Sequence, residues 1–111
     1  MKMRIVLDEC VPRRLRREFP GHDVVTVAEM GWSGKRNGEL MALLAASGYE
    51  VLLTVDRNLC VQQNLANSAV AIVVMIAVSN ARDDLLPLVP KVLTALTQIQ
   101  PGQCVEVRAT G

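Results

Sequence analysis

The stretch YEVLLTVDRN, Tyr49 to Asn58, decides how the chain is read. Val51, Leu52, Leu53, Thr54 and Val55 offer no polar face, which is the pattern of a strand covered on both sides within a parallel sheet. The strand ends by delivering a carboxylate, Asp56, followed at once by Arg57 and Asn58. Open α/β sheets bind ligands beyond the carboxyl ends of their strands, so Asp56 stands where chemistry is expected.

Working outward, Met3–Leu7 repeats the design: a short apolar run ends in Asp8 and Glu9. Pro12 suits the first turn of a helix with Val11, Leu15 and Phe19 inward and Arg13, Arg14, Arg16 and Arg17 outward, stopped by Pro20 and Gly21. Asp23–Ala28 reads as a second strand, and the Glu29–Gly38 loop after it holds the single Trp, Trp32. Asn37 is expected to cap a helix running to about Ser47, with Leu40, Leu43 and Leu44 facing inward and Gly48 closing it. After the organising strand, Asn58 is expected to cap a short helix through Leu65, with Gln62, Gln63 and Asn64 as its polar part.

Ala69–Val78 is the longest apolar run and reads as a central strand ending at Ser79 and Asn80. Arg82, Asp83 and Asp84 lead to a segment with Pro87 and Pro90, where a helical turn is expected before a regular helix ending near Ile99, and Pro101–Gly102 turns the chain into Cys104–Arg108. There Val105 and Val107 alternate with polar neighbours, so an edge strand is expected. Strands alternating with helices specify a single domain over residues 1–111. The expected architecture is a three-layer α/β sandwich, a mostly parallel five-stranded sheet in the order 2-1-3-4-5 with helices on both faces.

Composition narrows the function classes. The chain has 111 residues, 50% of them hydrophobic, and a net charge of +1. Eight Lys or Arg against six acids fall in the first forty residues, a small basic excess of weak meaning. Cys10, Cys60 and Cys104 are odd in number and far apart, so neither a disulfide framework nor a zinc site is expected, and they read as small buried hydrophobes in a reducing compartment. The apolar run before Asp8 is too short for a signal peptide, and Ala69–Val78 is half the length of a membrane helix. A soluble cytoplasmic protein with no membrane contact is expected. The high apolar content of so small a chain also suggests a homodimer interface.

If the first and third strands are neighbours, Asp8 and Asp56 lie about 5 Å apart at their backbones, and two such carboxylates call for a cation between them. Glu39, at a helix start on the same side, and Glu9 complete an oxygen-rich site suited to Mg²⁺ or Mn²⁺. Each acid also has a plainer reading. Asp56 could cap a helix or end a solvated strand, Glu39 could answer a helix dipole, and Glu9 could be a solvated neighbour. The arginines at 13–17 could be a solvated helix face or an RNA-backbone contact, Trp32 could stack on a base or pack on the domain or a partner, and His22 reads as structural.

LDECVP at 7–12, SGKRNGEL at 33–40 and LLTVDRN at 52–58 resemble the three acidic motifs of the small PIN-like proteins, over nearly the whole chain. The resemblance implies a metal-dependent ribonuclease, acting as the toxin of a toxin–antitoxin pair and cutting RNA with a metal-activated water. It implies Asp8, Glu39 and Asp56 as the catalytic, metal-binding acids. Asn58 stands where relatives commonly have another acid and becomes an auxiliary ligand, with Asp83 and Asp84 as substitutes for a fourth. Arg13, Lys35 and Arg57 are candidate phosphate contacts. Two rivals remain: a PIN-like domain that binds RNA or a partner without cutting, and a receiver-like phosphoacceptor domain. The second would use Asp8, Glu9, Asp56 and Ser79 but has only Arg108 near the place of its required Lys.

Overall fold

A computed structural model of the chain describes residues 2–62, 64–65 and 67–109. Its strands are β1 (Arg4–Leu7), β2 (Asp23–Thr26), β3 (Val51–Thr54), β4 (Ala71–Ile76) and β5 (Cys104–Arg108). All neighbours run parallel, in the order β2-β1-β3-β4-β5. The helices are α1 (Asn37–Ala46), α2 (Leu59–Gln62), α3 (Arg82–Leu85) and α4 (Val89–Leu96), with 3₁₀ segments at Arg13–Glu18 and Leu86–Leu88. The expected fold class and strand order are both observed.

Alternation along the central strands divides the core in two. Ile5, Leu7, Val51, Leu53, Val73 and Met75 point to one face, where Leu15 of the first 3₁₀ segment, Phe19 just after it, and Leu85, Val92 and Leu96 of α3 and α4 cover them. Val6, Leu52, Ile72 and Val74 point to the other, beneath Leu40, Met41 and Leu44 of α1 and Leu59 of α2. Leu52 is 0% and Leu53 1% exposed, so each gains the ~1.5–3 kcal/mol that full burial of such a side chain gives. Strands buried on both faces are nearly continuous apolar runs, which is why YEVLLTVDRN could be read as central.

Several local expectations need correction. The Arg13–Glu18 segment is a 3₁₀ helix, with Pro12 at its N-cap position and a C-cap at Phe19 that bonds Arg16 O. β4 spans Ala71–Ile76 and not Ala69–Val78; Val70 N is taken by the Ser68 hydroxyl, and Val78 is 93% exposed. Helix α1 starts at Asn37 with Arg36 at the cap position, and it buries Met41 beside Leu40 and Leu44 while Leu43 is only half-buried. Its apolar residues run almost round the helix, so spacing alone could not choose the inner face. Gly48 closes α1 at φ +76°, and a Cβ there would lie 2.8 Å from Arg4 Nη1. Helix α2 ends at Gln62 and not Leu65, and Gln63 lies outside the described residues.

The cysteine expectation is overturned. Cys60 and Cys104 form a disulfide, and Cys104 is exposed, so only half-buried Cys10 remains a free thiol. Cysteines forty-four positions apart in sequence gave no spacing signal, and only the sheet topology brings α2 beside the start of β5. Among the described residues no helix is long and apolar enough to cross a membrane.

Candidate functional site

The carboxyl ends of β1 and β3 are joined before any side chain is considered. Asp8 N donates to Leu53 O at 3.0 Å, and Val27 N donates to Leu7 O at 3.1 Å. The ladder pairs Leu7 with Leu53, so Asp8 falls beside Thr54, and Asp56 lies two residues further on. The acids are therefore not directly opposed, and the separation of about 5 Å expected from strand spacing does not follow.

Thr54 fills that offset. It is 0% exposed, and its hydroxyl donates to Asp8 Oδ2 at 2.7 Å while accepting from Asp56 N at 3.1 Å. Cys10 Sγ lies 3.5 Å from the same oxygen. A hydroxyl has one proton, and Asp8 takes it, so the Cys10 thiol is the donor in this contact. A threonine hidden in an apolar strand is costly without such partners. That was the signal for this residue in the sequence, and reasoning from the acids alone passed over it.

Each aspartate is also held by its own turn. Glu9 N donates to Asp8 Oδ1 at 2.8 Å, and Val11 N to Asp8 O at 2.9 Å. Asn58 N donates to Asp56 Oδ1 at 2.9 Å, and Leu59 N to Asp56 O at 3.3 Å, so Asp56 forms the turn that leads into α2. Each carboxylate oxygen carries two lone pairs, so these bonds leave acceptor capacity on both half-buried acids.

The remaining candidates are spread around this centre. Glu39 is exposed in the first turn of α1, and Asn58 is exposed too. Among the described residues no three His, Cys, Asp or Glu side chains stand where they could hold one metal ion, so Asp8, Glu39 and Asp56 are not assembled as a ligand trio. What remains is two carboxylates near one sheet end, since the fully buried Thr54 hydroxyl is already taken by Asp8, Asp56 N and Cys10. Carboxylates are the donor type for Mg²⁺ or Mn²⁺, and Mg²⁺ takes one or two of them while keeping several waters.

Glu9 turns out to clip a loop: its Oε1 accepts Gly34 N at 2.7 Å and so anchors the segment that carries exposed Lys35 and Arg36. Trp32 packs on the domain, half-buried and edge-on to Tyr49 with ring centroids 6.2 Å apart. Arg13 is exposed, whereas Arg16 reaches Glu29 at 2.6 Å. That guanidinium holds the Glu29 carboxyl below its ordinary range; partial burial opposes the shift, and bonds from Thr26 assist it. His22 accepts Met3 N at the far end of the sheet, a structural role as expected.

Arg57 lines a cavity of about 310 Å³ between the ends of β3 and β4, with Met75, Ser79 and Asn80 among its walls. Asn80 Nδ2 donates to Cys10 O at 2.9 Å, tying the loop after β4 to the loop after β1. Ser79 donates to Asp84 Oδ2 at 2.5 Å, which occupies one substitute for the absent fourth acid. Lys91 binds the carbonyls of Arg108 and Ala109, and Arg108 pairs with Glu106 at 2.8 Å. A larger cavity of about 550 Å³ lies between α4 and β5 and includes none of the candidate acids. Searches of protein-family models, of curated proteins and of solved structures each find no match to this chain.

Proposed function

We propose that the chain is a divalent-metal-dependent endoribonuclease of PIN-like type, working in the cytoplasm as the toxin of a toxin–antitoxin pair. The observation that supports this reading best is that the Asp8 carboxylate and the main chain of Asp56 are both held by the buried Thr54 hydroxyl. The carboxyl edge of an α/β sheet is where such folds do chemistry. A buried hydroxyl that bonds one carboxylate and the turn carrying a second goes beyond what sheet pairing requires.

Asp8 and Asp56 would hold Mg²⁺ or Mn²⁺, and the exposed Glu39 would join as an outer carboxylate through water. When bound, the ion supplies an activated water and neutralises charge on the phosphodiester. The protein's own part is to fix directions. Thr54 sets the Asp8 carboxylate through Oδ2, the Asn58 main chain sets Asp56 through Oδ1, and the exposed Asn58 amide serves as auxiliary ligand. Arg13, Lys35 and Arg57 are exposed around this edge and would meet RNA phosphates. RNA and an antitoxin protein are the proposed partners, with a homodimer as the assembly.

A second reading, RNA or partner binding without cutting, is favoured by the absence of a three-acid group among the described residues. One assay separates the two. A labelled RNA pool is incubated with wild type and Asp56→Asn in Mg²⁺, in Mn²⁺ and in chelator, with RNA retention measured alongside. Metal-dependent cutting that the variant loses is the expected result. Retention without cutting in every condition would replace the nuclease by the binding domain.

A further inference from the structure

We propose that the Cys60–Cys104 disulfide is a reversible thiol–disulfide latch on the turn that carries Asp56. The redox state of the surroundings would then set how firmly this edge of the sheet is ordered. The importance of that turn for chemistry and the cytoplasmic setting rest on the proposed function; the position of the latch rests on the geometry of α2 and β5.

Asp56 and α2 are one unit, because the first helical amide, Leu59 N, bonds Asp56 O and Asn58 N bonds Asp56 Oδ1. Helix α2 has four residues, far too few to persist by its own hydrogen bonds. Leu59 anchors it in the core, while Val61 on its outer side is 86% exposed. Between α2 and Ala71 there is no regular element among the described residues. On this face of the sheet the helical cover stops short of β5, where Cys104, Glu106 and Arg108 are all exposed. The disulfide spans that gap, fastening the free side of α2 to the edge strand.

Two features make the bond reversible by design. Only one of the two backbones is fixed independently of it: Cys104 pairs with Ile72 in the β4–β5 ladder, whereas Cys60 is tethered nearby by the buried Leu59 alone. Their Cα atoms lie 6.1 Å apart, within the ordinary range for a disulfide, so reduced thiols remain neighbours. Cys104 is also exposed and open to attack. A small-molecule thiolate attacks Cys104 Sγ, the S–S bond breaks, and Cys60 leaves as a thiolate that takes a proton. A second small-molecule thiolate resolves the mixed disulfide, which frees Cys104 and yields one small-molecule disulfide. Two electrons enter the protein, and two small thiols are oxidised. In a cytoplasmic protein a disulfide is expected to act in this transient way and not as a permanent staple.

The full chain is equilibrated in glutathione buffers from fully reduced to fully oxidised. Alkylation with mass spectrometry counts the thiols, and amide exchange is followed over residues 57–62. The expected result is that Cys60 and Cys104 change together. On reduction, exchange at 57–62 rises about tenfold or more, while β1 and β3 stay protected. Cys104→Ser in oxidising buffer should reproduce the reduced pattern. Equal exchange in the two states of the wild type, or no bond formed in oxidised glutathione, overturns the latch. Exchange is read without RNA, so loss of the nuclease reading leaves this result standing, and equal exchange with intact metal-dependent cutting removes the latch alone.

Discussion

Two segments leave the carboxyl edge of the same sheet within a few residues of each other, and they are held by opposite means. The end of β1 and the Asp56 main chain converge on Thr54, a hydroxyl with 0% exposure and partners at 2.7 and 3.1 Å. Helix α2, three residues past Asp56, has one buried anchor, Leu59, and a covalent tie to β5. Short polar bonds around a buried atom give direction, because each acceptor demands its donor in place. A cross-link chiefly limits how far the chain can wander. The comparison assigns precision to the Asp8–Thr54–Asp56 side and adjustability to the α2 side.

The largest effect should come from the covalent side. Unfolding in denaturant, with the disulfide intact and then reduced, should differ by up to about 4 kcal/mol, the chain-entropy figure for cysteines separated by 44 positions. Equal midpoints would erase the contrast, since the cross-link would then be restraining nothing. Next comes Thr54→Val, which keeps shape but leaves Asp8 Oδ2 and Asp56 N without their buried partner. It should cost about 1–3 kcal/mol, whereas Thr54→Ser retains the hydroxyl and should cost distinctly less. A Thr54→Val protein as stable as wild type would show that the hub does not organise this edge.

The smallest effect concerns the Arg16–Glu29 pair beside it, whose side chains are 36% and 39% exposed. Glu29 titrates below its ordinary 4.5 because Arg16 favours its charged form. A depressed folded value means the contribution is complete above the unfolded value and is lost as pH falls through the folded one. Arg16→Gln should therefore cost a few tenths of a kcal/mol near neutral pH, as exposed pairs do, and nothing once Glu29 is protonated. Thermal unfolding of both proteins between pH 7 and pH 3 measures it. A cost that persists at pH 3 would assign the effect to packing.

The sheet was legible because its strands are buried on both faces, so YEVLLTVDRN and the Ala69–Val78 run announce themselves without partners, although the second run overshoots β4 at both ends. Asp8 and Asp56 were legible as strand-end acids for the same reason. Their relative placement was not, because neighbouring strands need not end level, and only the pairing of Leu7 with Leu53 shows the two-residue offset. Thr54 looked like a β-branched core residue, since a buried hydroxyl reveals its purpose only through its partners. The 3₁₀ form of Arg13–Glu18, the Met41 contact of α1 and the Cys60–Cys104 bond all depend on tertiary neighbours that no local pattern encodes.

The central claim is that Asp8 and Asp56 together hold a divalent ion while Glu39 stands outside. Mn²⁺ titration followed by electron paramagnetic resonance, on wild type, Asp8→Asn, Asp56→Asn and Glu39→Gln, tests it most directly. The account predicts binding by wild type, its loss in either aspartate variant, and a weakening of about 10–100-fold in Glu39→Gln, the usual consequence of losing an outer partner. Unchanged binding in Asp56→Asn, or no binding by the wild type, would contradict it.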